Sequence, residues 1–171
     1  MSFAGRVALV TGASQGIGRA CALALSQSGV AVAAAARNQE KLSELVAFIE
    51  GTGAQAAAFV MDVAEEEQIK SAIKAVIGHF GKIDILVNNA GCNVRKRAAD
   101  VTWDDWNLIL DTNLRGAFFV AQSVAAVMIP HGRGRIINIG SLTSVMGAAG
   151  LGPYGASRGG IRQLTMSLAD D

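Results

Sequence analysis

A serine and a tyrosine near the carboxyl end of the sequence have the types and spacing that indicate acid–base chemistry. Ser141 and Tyr154 lie thirteen positions apart, and Arg158 follows the tyrosine by four. Residues at i and i+4 share one face of a helix, so the phenol and the guanidinium are expected to be neighbours. A phenol, with an ordinary pKa of about 10, exchanges protons poorly at neutral pH unless a nearby cation stabilises the phenolate. The alternative role of Tyr154 is that of a half-buried core residue.

A glycine-rich turn near the amino terminus predicts a phosphate-binding site. The apolar run from Arg6 to Thr11 is typical of a buried strand and leads into Gly12, Gly16 and Gly18. Glycines allow the backbone to approach a pyrophosphate, and the following helix presents free N–H groups and its positive end to it. The spacing differs from the commoner G-x-G-x-x-G, and an ordinary strand-to-helix connection is the alternative. We expect a dinucleotide to bind at this turn.

The end of the second predicted strand indicates which dinucleotide is preferred. Enzymes of this architecture that use NAD place Asp or Glu about 20 residues after the glycines, whereas an Arg accepts the 2′-phosphate of NADP. Arg37 lies nineteen residues after Gly18, and no acid accompanies it in Ala36-Arg37-Asn38. NADP(H) is therefore favoured over NAD(H). The alternative is that Arg37 is a surface residue leading into the next helix.

Strand-like and helix-like segments alternate along the chain. The predicted strands are 6–11, 30–36, 56–60, 83–87 and 135–139. The segments between them carry apolar residues at helical spacing, and Thr102 with Asp105 resembles a capping box that opens one helix. The apolar stripes of two helices are Leu42, Leu45, Val46 and Ile49, and Ile69, Ile73, Val76, Ile77 and Phe80. This alternation predicts an α/β fold: a doubly wound, Rossmann-like parallel sheet covered on both faces.

The strand count predicts an incomplete fold. After the fifth strand comes a helix predicted from about Tyr154 to Leu168, whereas doubly wound dinucleotide folds commonly have six strands. The fifth strand would then be an open edge. We expect residues 1–171 to form a single, incomplete dinucleotide-binding domain of marginal stability, truncated after that helix. The chain is interpreted as an incomplete copy of a longer enzyme, either a truncated gene product or an ordered portion of one.

Composition narrows the class of protein and of partner. The chain has 171 residues, of which 51% are hydrophobic, and a net charge of +1, so neither nucleic acid nor an anionic membrane is an expected partner. No signal peptide is recognised, and no apolar run approaches the roughly 20 residues of a membrane helix. A cytoplasmic location is expected. The cluster Arg95-Lys96-Arg97 is interpreted as a solvated loop rather than a phosphate contact.

The cysteines and histidines predict neither a disulfide scaffold nor a metal site. Cys21 and Cys92 are too few and too far apart, and are interpreted as buried free thiols. His79 and His131 lack neighbours at metal-ligand spacing and are interpreted as surface residues.

Four motifs in one order resemble the short-chain dehydrogenase/reductase family. Thr11-Gly-Ala-Ser-Gln-Gly-Ile-Gly18 is similar to its cofactor turn, and Asn88-Asn-Ala-Gly91 to the segment after its fourth strand. Asp111-Thr-Asn-Leu-Arg-Gly116 is similar to the segment with its catalytic asparagine, and Ser141 with Tyr154-Gly-Ala-Ser-Arg158 to its active site. The resemblance implies an NAD(P)(H)-dependent enzyme that interconverts a small-molecule secondary alcohol and a carbonyl by hydride transfer. The subgroup resembles 3-oxoacyl carrier-protein reductases and gluconate dehydrogenases, and a homo-oligomer, a dimer or tetramer, is implied.

The resemblance also implies residue roles. Tyr154 is the general acid/base, Ser141 hydrogen-bonds the substrate oxygen, and Asn113 orients a water or a backbone group in a proton relay. Asp62 resembles the residue that meets the adenine amino group, and a helix N-cap is its alternative. The implied cofactor-binding residues are Gly12, Ser14, Gln15, Gly16, Ile17, Gly18, Arg37, Asp62, Val63, Asn89, Ala90, Gly91, Tyr154 and Arg158.

Arg158 departs from the pattern, because the family has a lysine there that holds both the tyrosine and the nicotinamide ribose. A planar guanidinium retains the charge but not the shape of an ammonium. Two hypotheses therefore remain: an active oxidoreductase of reduced turnover, or a truncated, catalytically silent NADP(H)-binding module or degraded gene product.

Overall fold

Five parallel strands form one sheet with the order β3-β2-β1-β4-β5 in the computed structural model, which describes residues 3–170. The strands are β1 (Val7–Thr11), β2 (Ala31–Ala36), β3 (Ala56–Val60), β4 (Ile85–Asn88) and β5 (Arg135–Asn138). The helices are α1 (Gly16–Gln27), α2 (Gln39–Gly51), α3 (Glu66–Phe80), α4 (Trp103–Leu110), α5 (Ala117–Met128) and α6 (Gly152–Ser167). The predicted doubly wound, Rossmann-like fold and its five strands are confirmed.

Alternate residues of the central strands point to two separate cores. On β1, Leu9 belongs to the core that α3 and α5 cover, whereas Ala8 and Val10 belong to the core that α1 and α2 cover. The predicted helical stripes lie in these cores: Leu42 and Ile49 are buried under one face of the sheet. Helices therefore cover both faces of the sheet, as was predicted from the alternation of strands and helices.

The chain reverses its direction of travel across the sheet between β3 and β4. Strands β1, β2 and β3 are laid side by side, and the chain then returns so that β4 pairs with the other side of β1. A crevice at the carboxyl ends of β1 and β4 is the place where open α/β sheets bind ligands. The fold thus places the residues that follow these two strands at the crevice.

At the amino ends of the strands, Asp84 links the start of β4 to β1. Its carboxylate accepts a hydrogen bond from the Val7 N–H at 2.9 Å, and Lys82 pairs with it at 3.1 Å. Burial raises the pKa of this carboxyl, but the Val7 hydrogen bond and the Lys82 ammonium outweigh that effect and hold the pKa of Asp84 below its usual range. Asp84 therefore anchors the amino end of β4 to β1.

The predicted capping box is present and holds the loop after β4. The Thr102 hydroxyl accepts from the Asp105 N–H, and the Asp105 carboxylate accepts from the Thr102 N–H. Lys96 adds a 2.6 Å ion pair to Asp105, which with the Thr102 bonds lowers the pKa of this carboxyl to about 2. The interpretation of 95–97 as a merely solvated loop is thus wrong for Lys96, whose ammonium fastens the loop to α4.

One continuous helical stretch, Trp103–His131, is long and apolar enough to cross a membrane by length and composition alone. The sequence prediction of no such run differs because a π-helical turn, Asp111–Gly116, joins α4 directly to α5. In the most apolar window of this stretch 44% of residues are buried, and Val120 and Val124 pack in the core beside α3. A core helix of a soluble protein has the same composition.

Candidate functional site

The glycine turn after β1 is shaped by contacts from the segment that follows β4. Gly12 has a φ of +64°, and a Cβ there would come within 2.9 Å of Ala90 Cα and Asn89 Nδ2. Gly16 also has a positive φ, of +57°, but no atom lies within 4 Å of a Cβ at that position. Gly12 is therefore required by close packing, whereas Gly16 leaves open space in front of the amino terminus of α1.

Thr11 locks the two segments together, a role that the sequence did not reveal. Its fully buried hydroxyl accepts hydrogen bonds from the N–H groups of Asn89 and Ala90, each at 2.9 Å. In return the Asn89 side-chain amide donates to the Thr11 carbonyl at 3.0 Å. These bonds fix the crevice between β1 and β4.

A cavity of about 420 Å³ occupies this crevice and runs past the carboxyl ends of β1, β2 and β3. Its volume lies within the ~300–1,000 Å³ typical of small-molecule sites. Gly18, by contrast, is buried against the Gly12 carbonyl and does not line the cavity, so it serves the packing of the turn. The predicted cofactor residues that do line the cavity are Gly12, Ser14, Gln15, Gly16, Ile17, Arg37, Asp62, Val63, Asn89, Ala90 and Gly91.

Charged side chains mark the end of the cavity beside β2 and β3. Arg37 follows β2, Asp62 follows β3, and their side chains pair at 3.6 Å. The other Asp62 oxygen accepts from the Ala64 N–H at 3.0 Å. Because α3 begins at Glu66 with Glu65 as its N-cap, Asp62 closes a local turn and is not the helix cap that its alternative interpretation required.

Lys41 lines the same end of the cavity and was missed at the sequence level. It lies in the first turn of α2, where Asn38 caps the helix by accepting from the Lys41 N–H at 2.9 Å. Its ammonium donates to the Gln15 side chain at 3.0 Å. The sequence around Lys41 does not indicate this contact, because it joins residues 26 positions apart.

Asn113 organises the second half of the site from the π-helical turn. Its side chain is fully buried, accepts from the Cys92 N–H at 2.8 Å and donates to the Cys92 carbonyl at 2.8 Å. It also donates to the Ser157 hydroxyl at 3.2 Å. Single π-type turns occur often at functional sites. Asn113 thus orients the backbone of Cys92, and its part in a proton relay stays a prediction.

Ser141 caps a short helical turn, Leu142–Ser144, and lies three residues after the end of β5. Its hydroxyl accepts from the Thr143 N–H at 3.2 Å and lies 3.0 Å from the Thr143 hydroxyl. This turn packs on α6, because a Cβ on Gly155 would lie 3.8 Å from the Thr143 carbonyl. Ser141 is thus held beside the first turn of the helix that carries Tyr154.

Arg158 contacts the Tyr154 ring and is buried, with 6% of its surface exposed. Its guanidinium carbon lies 5.1 Å from the ring centroid, and its Nη1 donates to the Ile139 carbonyl at 2.9 Å. Its Nε is the one buried side-chain polar atom among the described residues without a hydrogen-bond partner. The arginine thus bridges α6, the end of β5 and Gly91, against which its Nη2 packs.

The predicted residues that line the cavity and those around Tyr154 meet at residues 91 and 92. Gly91 and Cys92 both line the cavity. Gly91 also contacts the Arg158 guanidinium, and the Cys92 backbone N–H donates a hydrogen bond to the Asn113 side chain. The side chains around Tyr154 therefore adjoin the far end of the cavity from Arg37. Cys92, like Cys21, is a free thiol as predicted but is only partly buried, which corrects the prediction that both are buried.

Comparison with protein families and known proteins gives one consistent result. A family model described as short chain dehydrogenase matches residues 6–171. Gluconate 5-dehydrogenase of Gluconobacter oxydans is 39% identical over 170 residues, which are 99% of this chain and 66% of that protein. The 3-oxoacyl-(acyl-carrier-protein) reductase of Thermotoga maritima is 35% identical over 171 residues, which are 100% of this chain and 70% of that protein. The chain thus spans about two thirds of these relatives.

Solved structures agree in fold. A gluconate 5-dehydrogenase from Burkholderia cenocepacia J2315 in complex with NADP and tartrate is 41% identical with a TM-score of 0.95, covering 99% of this chain and 66% of that one. An NAD⁺-bound xylitol dehydrogenase is 39% identical with a TM-score of 0.95, covering 99% of this chain and 65% of that one. These two neighbours carry different nicotinamide dinucleotides on the same fold.

Proposed function

Because this chain belongs to the short chain dehydrogenase family, we propose that it is a nicotinamide-dependent oxidoreductase that interconverts a secondary alcohol and a carbonyl. The observation that carries the proposal is the junction of the cavity with the Tyr154 and Asn113 group through Gly91 and Cys92. A dinucleotide that extends from Arg37 toward Gly91 would bring its reactive end beside the only tyrosine of the chain.

The residues of the cavity fit a dinucleotide in charge and in space. Gly16 leaves room before the first turn of α1, and Gln15, its N-cap, makes no side-chain cap. The free N–H groups and the positive end of that helix suit a pyrophosphate. At the other end, the unpartnered Nε of buried Arg158 offers a donor to a bound polar group. Together these features support binding along the whole cleft.

NADP(H) is the preferred form in this proposal. Ala36 ends β2, Arg37 follows it, and the carboxylate that would bind a ribose 2′-hydroxyl is missing from this position. The Arg37 side chain is 69% exposed in its long pair with Asp62, so it is accessible to a 2′-phosphate. A guanidinium binds phosphate through two parallel hydrogen bonds.

The proton chemistry falls to Tyr154. A dinucleotide held along the cavity by the glycine turn and residues 89–91 would supply or accept the hydride. In reduction, the phenol of Tyr154 gives its proton to the carbonyl oxygen as the C–H bond forms, and Ser141 holds that oxygen by a hydrogen bond. Asn113 fixes the Cys92 backbone at the floor of the site. A general acid so placed contributes about 10²- to 10⁴-fold to the rate.

One observation favours a second candidate, a silent NADP(H)-binding module. The Arg158 charge lies over the face of the Tyr154 ring and is bonded to the Ile139 carbonyl. A compact ammonium would have been free to turn toward both the phenol and a ribose.

The cofactor preference gives the first test. We expect NADPH to bind this chain at least about tenfold more tightly than NADH, because one charge-assisted contact is worth about 1.5–3 kcal/mol. Isothermal titration calorimetry with both cofactors measures the ratio of their dissociation constants. Turnover is then followed by NADPH oxidation with 5-oxogluconate, xylulose and an acetoacetyl thioester, compounds chosen from the activities in the names of its relatives. Tighter binding of NADH would refute the preference, and no binding of either would refute the proposed function.

Replacing Arg158 with lysine separates the two candidates. We expect kcat to rise by about tenfold or more, which corresponds to ~1.4 kcal/mol of transition-state stabilisation. Arg162→Lys, an exposed arginine one turn further along α6, is the matched control and should leave kcat unchanged. If Arg158→Lys binds NADPH yet reduces none of the three compounds, the silent module is the better description.

Further parts of the proposal concern assembly and location. A homo-oligomer, a dimer or tetramer, is proposed from the family resemblance. Light scattering of the purified chain measures its mass. A cytoplasmic location is proposed with it, and fractionation of cells that express the chain tests it.

A further inference from the structure

We infer that Lys41 is a second determinant of cofactor selectivity, which shares with Arg37 the recognition of a 2′-phosphate. The inference rests on the proposed function and extends it to a residue outside the recognised motifs. Among the residues that line the cavity, Lys41 and Arg37 are the two cations and Asp62 is the one acid.

Arg37 is partly committed, whereas Lys41 is not. Arg37 pairs with Asp62 at 3.6 Å, so a phosphate would share its charge with a carboxylate. Among residues 3–170, no carboxylate forms an ion pair with Lys41, and its ammonium donates to the neutral amide of Gln15. An ammonium has three donors, so two remain for a ligand. Lys41 therefore contributes the uncompensated positive charge at this end of the cavity.

The position of Lys41 in its helix is unfavourable for stability and thus calls for another reason. Lys41 lies in the first turn of α2, next to the positive end of the helix dipole, where acidic residues are favoured. Its exposed side chain reaches across to the glycine turn. A cation held there would stabilise an anion bound between α2 and the glycine turn.

Neighbouring side chains do not supply this charge. The glycine turn itself has the neutral Gln15 at the residue that Lys41 contacts. Arg19, the cation on α1, covers the ring of Phe48 on α2 with its guanidinium 6.0 Å from the ring centroid. It does not line the cavity. The hydrogen bond to Gln15 thus holds Lys41 where Arg37 and the turn converge.

The test compares ligands with and without the 2′-phosphate. Dissociation constants of the full chain are measured by isothermal titration for NADPH and NADH, and for 2′,5′-ADP and 5′-AMP. The variant Lys41→Gln removes the charge and keeps a donor for Gln15, Lys41→Arg restores the charge, and Lys74→Gln removes an exposed lysine of α3 that lies outside the cavity.

We expect Lys41→Gln to raise the dissociation constants of NADPH and 2′,5′-ADP by about tenfold, the effect of one phosphate contact. The dissociation constants of NADH and 5′-AMP should change by less than about twofold. Lys41→Arg should stay near wild type, and Lys74→Gln should have no effect. Equal weakening of both ligand pairs would mean that Lys41 is only a strut between α2 and the glycine turn. An unchanged NADPH-to-NADH ratio would overturn the inference while the proposed function stands, whereas failure of the wild-type chain to bind any of these ligands would overturn both.

Discussion

Replacing Tyr154 with phenylalanine is expected to lower kcat for carbonyl reduction by about 10²- to 10⁴-fold, the usual contribution of a general acid. The change removes one oxygen atom and leaves the ring, so the contact with the Arg158 guanidinium at 5.1 Å is retained. The rate is measured as NADPH oxidation in the faster of the wild-type and Arg158→Lys backgrounds.

Binding and stability provide the internal control for this variant. The phenol lies at the α6 end of the site, away from Arg37 and the glycine turn, so the dissociation constant for NADPH should change little. The melting temperature should also be close to that of the parent. A kcat within about threefold of the parent would mean that another group supplies the proton, because general-acid effects are much larger than this.

Replacing Asn113 with alanine is expected to lower the free energy of unfolding by about 2–5 kcal/mol, because three hydrogen bonds are lost and their partners stay inside the protein. The Ser157 hydroxyl is fully buried, and the Cys92 N–H and carbonyl each lose a 2.8 Å partner. Against a total stability of ~5–15 kcal/mol this is a large fraction. Urea unfolding followed by circular dichroism measures the difference.

The matched control is Asn107→Ala, an exposed asparagine on the preceding helix α4. It should change the stability by no more than about 0.5 kcal/mol, as is usual for surface positions. A loss below ~1 kcal/mol in Asn113→Ala would show that water replaces the side chain and that the π-helical turn does not depend on it.

The elements of the fold could be predicted because their signals are local. The stripe that contains Leu42 and Ile49 repeats at helical spacing, and both residues are buried as that spacing indicates. Thr102 and Asp105 form a capping box within four residues of chain. The doubly wound topology followed from the glycine turn and the β/α alternation.

The side-chain arrangement of the site could not be predicted in the same way, because its contacts join distant positions. Asn113 meets residues 21 and 44 positions away, and the π-helical turn that aims it has no sequence signal of its own. The i+4 spacing placed Arg158 next to Tyr154 but left open where its guanidinium would lie. The Ile139 carbonyl and the packing against Gly91 decided that it lies over the ring. Such choices depend on tertiary packing.

The hydrogen bonds of the buried Thr11 hydroxyl have a consequence for when the crevice between β1 and β4 forms during folding. They join positions 78 and 79 residues apart, so the entropy lost in closing that long loop must be met before they form. The glycine motif is written within a few residues, yet the wall against which Gly12 packs is supplied by Asn89 and Ala90. In terms of contact order, the crevice is a non-local structure. A nascent chain that does not yet include β4 would contain the glycine motif without the segment that completes the crevice beside it.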